Sequence, residues 1–268
     1  MTRRSFLAKS GAASAFVGGE SLVPQAGGRE LDQQSREYYE LWIYHVRRGR
    51  QHELLSEFFR KAWLPAMNRI GIAPIGAFEV MVGPENPSIY LLVPFKSLDL
   101  LATLEARLAA DSEYQATGAA VMNAPATDPA YTRAESSLML AFEGMPHLRP
   151  PDFGARQAER VFELRIYESH SHKANKKKIE MFNTSEMAIF HRTGLQPVFF
   201  GQTLIGRELP QLTYMLVFDS MASHDKNWAT FAADPEWKKL SSTPGYTDGE
   251  IVSNISNVFL RPTPYSQI

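Results

Sequence analysis

The sequence predicts an α+β protein made of two tandem βαββαβ units, and three observations point there. Short segments recur at a fixed offset, each copy reads as the same succession of strands and helices, and a Pro/Gly-rich stretch separates the copies. Tyr39-Glu40-Leu41-Trp42-Ile43-Tyr44 recurs as Phe162-Glu163-Leu164-Arg165-Ile166-Tyr167, an offset of 123 (39 to 162). The same spacing carries Phe59 to Phe182, Gly71 to Gly194, Pro74 to Pro197, and Asp111-Ser112-Glu113-Tyr114 to Asp234-Pro235-Glu236-Trp237. Several separated segments sharing one spacing mark a duplicated unit.

Within each copy the elements follow from local pattern. An alternating stretch (38–46; 161–168) reads as a strand, because side chains there change face at every residue. An amphipathic helix follows (50–70; 174–193) and stops at Gly71 or Gly194, where glycine suits a left-handed terminating residue. A second strand (75–82; 198–205) leads through Gly83-Pro84-Glu85-Asn86-Pro87 or Gly206-Arg207-Glu208-Leu209-Pro210 to a third (89–95; 212–218). Ser97 and Ser223 are placed to cap a second helix (98–110; 224–233). Asp234 with Pro235 restarts a helical turn in the second copy, Asp as cap and Pro at the first position. A fourth strand (136–142; 251–260) completes each unit, giving the ferredoxin-like order. The expected organisation is an N-terminal segment 1–30, a first repeat 36–143, a linker 144–160 and a second repeat 161–262.

Bulk composition bounds the function. With 28 Lys+Arg against 29 Asp+Glu the chain lacks the cationic surplus that phosphate neutralisation requires, so no nucleic-acid partner is expected. No apolar run approaches the roughly 20 residues of a membrane span. The absence of cysteine excludes thiolate catalysis, disulfides and cysteine-type zinc sites. No Gly-rich phosphate loop follows a strand, and neither a serine nucleophile elbow nor a His-Glu-x-x-His helix is present. Arg3-Arg4 ahead of Phe6-Leu7 and a short small-residue stretch resemble a twin-arginine export signal, which implies a periplasmic or extracellular destination.

A βαββαβ unit packs its helices on one sheet face and leaves the other bare. Two units are therefore expected to close sheet to sheet into a barrel. Alternation sorts the first strands into two sets, Leu41, Ile43, Leu164 and Ile166 against Glu40, Trp42, Tyr44, Glu163, Arg165 and Tyr167. The first set is expected beneath the helices and the second between the sheets.

The second copy, from Phe162-Glu163-Leu164-Arg165-Ile166-Tyr167 through Gly194-Leu195-Gln196-Pro197-Val198 and Leu212–Phe218 to Asp234-Pro235-Glu236-Trp237, resembles the NIPSNAP family of the dimeric α/β-barrel superfamily. The first copy is looser, with Trp42 at the place of Arg165. The resemblance implies a ferredoxin-like fold and a tendency to form homo-oligomers. It brings no catalytic motif, and fold analogy alone assigns no activity.

The expected ligand-binding set is Glu163, Arg165, Tyr167, Gln202 and Tyr214, with Glu40, Trp42, Tyr44 and Tyr90 as the aromatic counterpart in the first repeat. A carboxylate and a guanidinium two residues apart either lock together or hold a polar ligand. His170, His172, His191 and Glu168 have no fixed metal-ligand spacing, His191 suits the end of its helix through the dipole, and neither a metal nor another cofactor is expected. Lys176-Lys177-Lys178 reads as a solvated helix face. The functional expectation is an exported binding or interaction protein taking a small molecule or a protein partner. Its alternative is a cofactor-independent oxygenase or isomerase in which Arg165 and Glu163 act within the cavity between the sheets.

Overall fold

The computed structural model describes residues 35–84, 86–151 and 160–268. The arginine pair and residues 152–159 of the expected linker lie outside them. The strands are β1 (Tyr38–His45), β2 (Gly76–Val82), β3 (Ser88–Phe95), β4 (Arg133–Ala141), β5 (Val161–Glu168), β6 (Gln196–Ile205), β7 (Gln211–Phe218) and β8 (Asn254–Pro262). The helices are α1 (Arg50–Phe58), α2 (Leu64–Arg69), α3 (Leu98–Ala109), α4 (Ser112–Met122), α5 (His172–Met181), α6 (Met187–Thr193), α7 (Met221–Ala233), α8 (Pro235–Ser241) and α9 (Asp248–Ile251). Single π-helical turns join α1 to α2 at Phe59–Trp63 and α5 to α6 at Phe182–Glu186.

Local chemistry sets the boundaries much as the sequence implies. Gly194 ends α6 in the left-handed conformation at φ 84°, and Gly71 has φ 87° just past α2. Ser97 accepts from the Leu100 N–H, while Asp234 accepts from the Glu236 and Trp237 N–H groups with Pro235 at the first helical position. The cap of α7 is Ser220 rather than Ser223, whose N–H it receives. In both halves an arginine near the end of the first helical segment grips the aspartate cap of a later helix. Arg69 lies 2.7 Å from Asp111, and Arg192 lies 2.6 Å from Asp234.

The expectation of two ferredoxin-like units with their antiparallel sheets stacked is overturned. The eight strands form one closed antiparallel barrel in the order β1-β3-β2-β8-β5-β7-β6-β4. Backbone ladders run across the repeat boundary twice, β2 on β8 and β4 on β6. Each half alone would leave two strand edges with unpaired N–H and C=O groups, and pairing them edge to edge satisfies all four. Closure leaves the barrel with no open strand edge. The α+β content stands, and among the described residues no helix is long and apolar enough to cross a membrane.

An eight-stranded barrel is about wide enough for its own side chains to fill. Here Leu41, Leu92, Met139, Leu164, Phe199, Met215 and Leu260 fill it. Leu148 and Ile268 belong to the same buried cluster, with the Arg160 guanidinium donating to the Ile268 carbonyl. Two further clusters lie between the barrel wall and the helices, one per half. β3 and β7 are consequently buried at every position, apolar contact being supplied on both faces.

The two alternating sets therefore exchange places relative to expectation. Leu41 and Leu164 are inside the barrel and Ile43 packs against that core, whereas Trp42, Tyr44 and Tyr167 lie in the clusters beneath the helices. Polar side chains are tolerated under the helices because helix residues reach down to pair with them. The barrel centre receives its side chains mainly from strands, joined by Leu148 and Ile268, and these are apolar over most of its length.

Candidate functional site

Two polar assemblies stand out, one between barrel wall and helices and one at the barrel mouth. The first is centred on Glu163, fully buried on β5. Arg165 Nη1 donates to it at 2.6 Å, Trp228 Nε1 at 2.9 Å and Asn257 Nδ2 at 3.1 Å, while His224 Nε2 lies 3.3 Å away. The Arg165 guanidinium stacks 4.6 Å from the Trp228 ring and donates to the Tyr167 hydroxyl at 3.1 Å, which accepts from Tyr214. Burial opposes the Arg165 charge, yet the surrounding Tyr214 and Tyr167 hydroxyls and the Glu163 carboxylate hold its pKa above the ordinary value. Burial pushes Tyr214 far above its usual range, so it remains a neutral donor.

Beside this group, Lys178 and Glu186 form an ion pair at 3.0 Å, with side chains 1% and 2% exposed. Burial works against charge at both ends, but the Glu186 carboxylate keeps the Lys178 ammonium protonated above its ordinary range. The expectation of a solvated lysine face is corrected at this position. Three consecutive residues on a helix point in different directions, and Lys178 is the one that turns inward.

Glu163, Arg165, Tyr167 and Tyr214 are thus brought together as expected, but outside the barrel and locked to one another. Gln202 shares the outer face of β6 with Phe200, opposite Leu212. In the first repeat Glu40 takes hydrogen bonds from Trp42 and Ser136, and Trp42 stacks on Tyr44 at 5.7 Å. Burial raises the Glu40 pKa, so ionising it costs the folded state. The stability its neutral form contributes is complete below the ordinary carboxylate pKa and declines as pH rises through the folded value. Glu40→Gln is therefore expected to raise the thermal midpoint at pH 7 and to match the wild type near pH 4, which a melting series across that range checks.

Of the nine expected residues, Tyr90 alone reaches the second assembly. At the end of the barrel where β1 and β5 finish, the interior is not filled, and a cavity of about 520 Å³ opens to the outside. Leu41, Ile43, Tyr90, Ile166 and Val258 line its apolar part, and His45, Glu135, Gln211, Thr213 and Ser256 its polar part. Glu135 gathers the rim charges. His45 Nε2 lies 3.0 Å from it, Arg133 Nε 2.7 Å and Arg207 Nη1 3.1 Å. The other His45 nitrogen is 3.3 Å from Ser88 Oγ. These residues escaped sequence reasoning because they belong to the alternating set assigned to the helices. The turn at Gly206 and the polar starts of β4 and β7 were the available signal. Among the described residues, no group of three or more His, Cys, Asp or Glu side chains is arranged to hold a metal ion.

Fold and site together define a closed, helix-wrapped antiparallel barrel built by duplication, packed solid at one end and open to a polar-rimmed cavity at the other. The chain belongs to the NIPSNAP family, whose sequence profile matches residues 39–133 and 162–267, one match per repeat. Comparison with curated proteins gives no match. A Fusobacterium nucleatum protein described as a candidate monooxygenase superposes with TM-score 0.56 at 7% identity, covering 85% of this chain and 93% of its own. A Lactobacillus acidophilus protein with the same description gives TM-score 0.53 at 12% identity, covering 85% and 94%. At such identities the likeness concerns the fold alone. A NIPSNAP-like domain protein from Burkholderia xenovorans is 20% identical over 41% of this chain and 90% of its own, with TM-score 0.37.

Proposed function

We propose that this NIPSNAP-family chain is a binding protein whose barrel mouth takes up a small organic molecule without covalent chemistry. One observation carries this reading: the cavity of about 520 Å³ has an apolar floor and a polar rim. Its size falls within the few hundred to a thousand cubic ångströms typical of ligand pockets. The reading is favoured over a cofactor-independent oxygenase because Arg165 and Glu163, the residues expected to move charge, do not line the cavity and are paired at 2.6 Å. Both nitrogens of His45 are likewise engaged.

Ile166→Trp should fill the floor while leaving the barrel intact. Native mass spectrometry of protein purified from its own host is expected to show a retained small molecule on the wild type and none on the variant. Equal retention by both would place the ligand elsewhere. We further propose export through the N-terminal Arg3-Arg4 pair, supported by Phe6-Leu7 one residue beyond it. Changing Arg3 and Arg4 to Lys should hold a tagged chain in the cytoplasm, and a wild type that stays there overturns the proposal.

A further inference from the structure

We propose that the open end of the barrel is a docking surface for a lipid bilayer, entered by the apolar tips of two hairpins. The tips are Met81-Val82 at the end of β2 and Leu204-Ile205 at the end of β6. Val82 and Ile205 are each 66% exposed, Met81 37% and Leu204 40%. Large apolar side chains grouped in water in this way mark a surface that something else covers. The proposal stands on these side chains and not on the ligand reading of the mouth.

The duplication fixes where the tips lie. Met81 and Val82 recur as Leu204 and Ile205 at the same offset of 123 residues (81 to 204). β2 and β6 stand four places apart in the closed order of eight, on opposite sides of the barrel. Equivalent strands of a duplicated barrel end at the same height along its axis, so the two tips touch one plane. Both run past Glu79–Ile89 and Gln202–Leu212, the last described pairs of their own hairpins. The strand across each repeat boundary still holds them, Val82 opposite Phe259 and Ile205 opposite Leu138. Successive strand residues point to opposite faces, so each tip presents apolar side chains on both of its sides.

That arrangement selects the occupant. Two narrow tips on opposite sides of an opening form no single groove for a peptide or a helix. Against a second copy they would meet at points, far short of the roughly 800 Å² per partner that a stable pair buries. A bilayer is flat and fluid, and its headgroup region closes around each tip separately. The turns that follow the tips line the cavity, Pro84 from one hairpin and Gly206 and Arg207 from the other. A docked chain therefore turns the apolar floor of its mouth toward the lipid. Several charges at this end are already paired within the chain, Glu135 with Arg133 and Arg207, Glu79 with Arg261, and Asp128 with Arg50. Apolar insertion, rather than attraction to anionic headgroups, holds the contact.

Flotation of the full chain with phosphatidylcholine vesicles, at low and at high salt, tests the proposal. The wild type is expected to float with the vesicles in both. Val82→Ser combined with Ile205→Ser should weaken binding at least about tenfold and leave the melting temperature unchanged, since both side chains stand mostly in water. Val82→Trp and Ile205→Trp, each read against the wild-type fluorescence, should both shift to the blue when the same vesicles are added. A shift at one tip alone, or at neither, overturns the shared plane. Binding that needs anionic lipid and is released by salt overturns apolar insertion, and equal flotation of wild type and double serine variant places any contact on residues outside the tips. A dimer in sedimentation equilibrium that the double variant dissociates, without vesicle binding, makes a second copy the occupant instead. In each of these cases the ligand reading of the mouth survives, because retention of a small molecule is measured without lipid.

Discussion

Glu186→Ala is expected to destabilise the folded chain by about 3–5 kcal/mol, because it strands a buried charge. The variant leaves the Lys178 ammonium 1% exposed, with the half-exposed Asp248 carboxylate 3.9 Å away as the remaining anion. The rings of Phe182 and Tyr167 stand 5.0 and 5.5 Å from Lys178 Nζ and soften the loss, but aromatic faces do not replace a carboxylate in a buried site. Urea unfolding at pH 7 measures the change, and a thermal midpoint lower by on the order of 10 °C should accompany it. Replacing both partners, Lys178→Met with Glu186→Leu, should recover most of the loss, because the cost lies in stranding one charge rather than in losing the pair. A loss below about 1 kcal/mol for Glu186→Ala would mean that Lys178 reaches water once released.

Glu163→Ala should cost a similar 3–5 kcal/mol, and here the comparison between repeats is the sharper test. Truncation removes the acceptor shared by Arg165, Trp228 and Asn257, and leaves a guanidinium whose Nε is already buried without a partner among the described residues. The matching carboxylate of the first repeat, Glu40, faces the neutral donors Trp42 and Ser136. Glu40→Ala strands no cation and should cost about 1 kcal/mol. Chemical denaturation of the two variants side by side reads the difference. Equal losses would show that the Arg165 charge contributes nothing to the asymmetry between the halves.

The duplication was legible in full because it is written as spacing. The Arg69–Asp111 and Arg192–Asp234 ties stand at the same separation in both halves. So do the π-helical turns beginning at Phe59 and Phe182. Helix ends were legible for a local reason: Gly71, Gly194, Ser97 and Asp234 act on backbone groups within a few residues of themselves. The candidate site was legible only as a set of alternating side chains. Sequence reasoning grouped Glu163, Arg165 and Tyr167 correctly and placed them on the wrong side of the sheet. The mouth residues Gln211, Thr213, Glu135 and Ser256 went unnoticed for the same reason.

Strand alternation by itself determined which side chains of this protein share a face, and the repeat determined that each face occurs twice. Which face looks into the barrel was decided by tertiary closure. β3 and β7 are buried on both sides, so neither side carries the contrast between apolar and polar residues that would mark one as solvent and the other as core. Closure of β2 on β8 and β4 on β6 turned one face inward, where apolar side chains from opposite strands meet, and left the other to the helices. The cavity exists because that inward packing runs out near Tyr90 and Ile166, before the strands do.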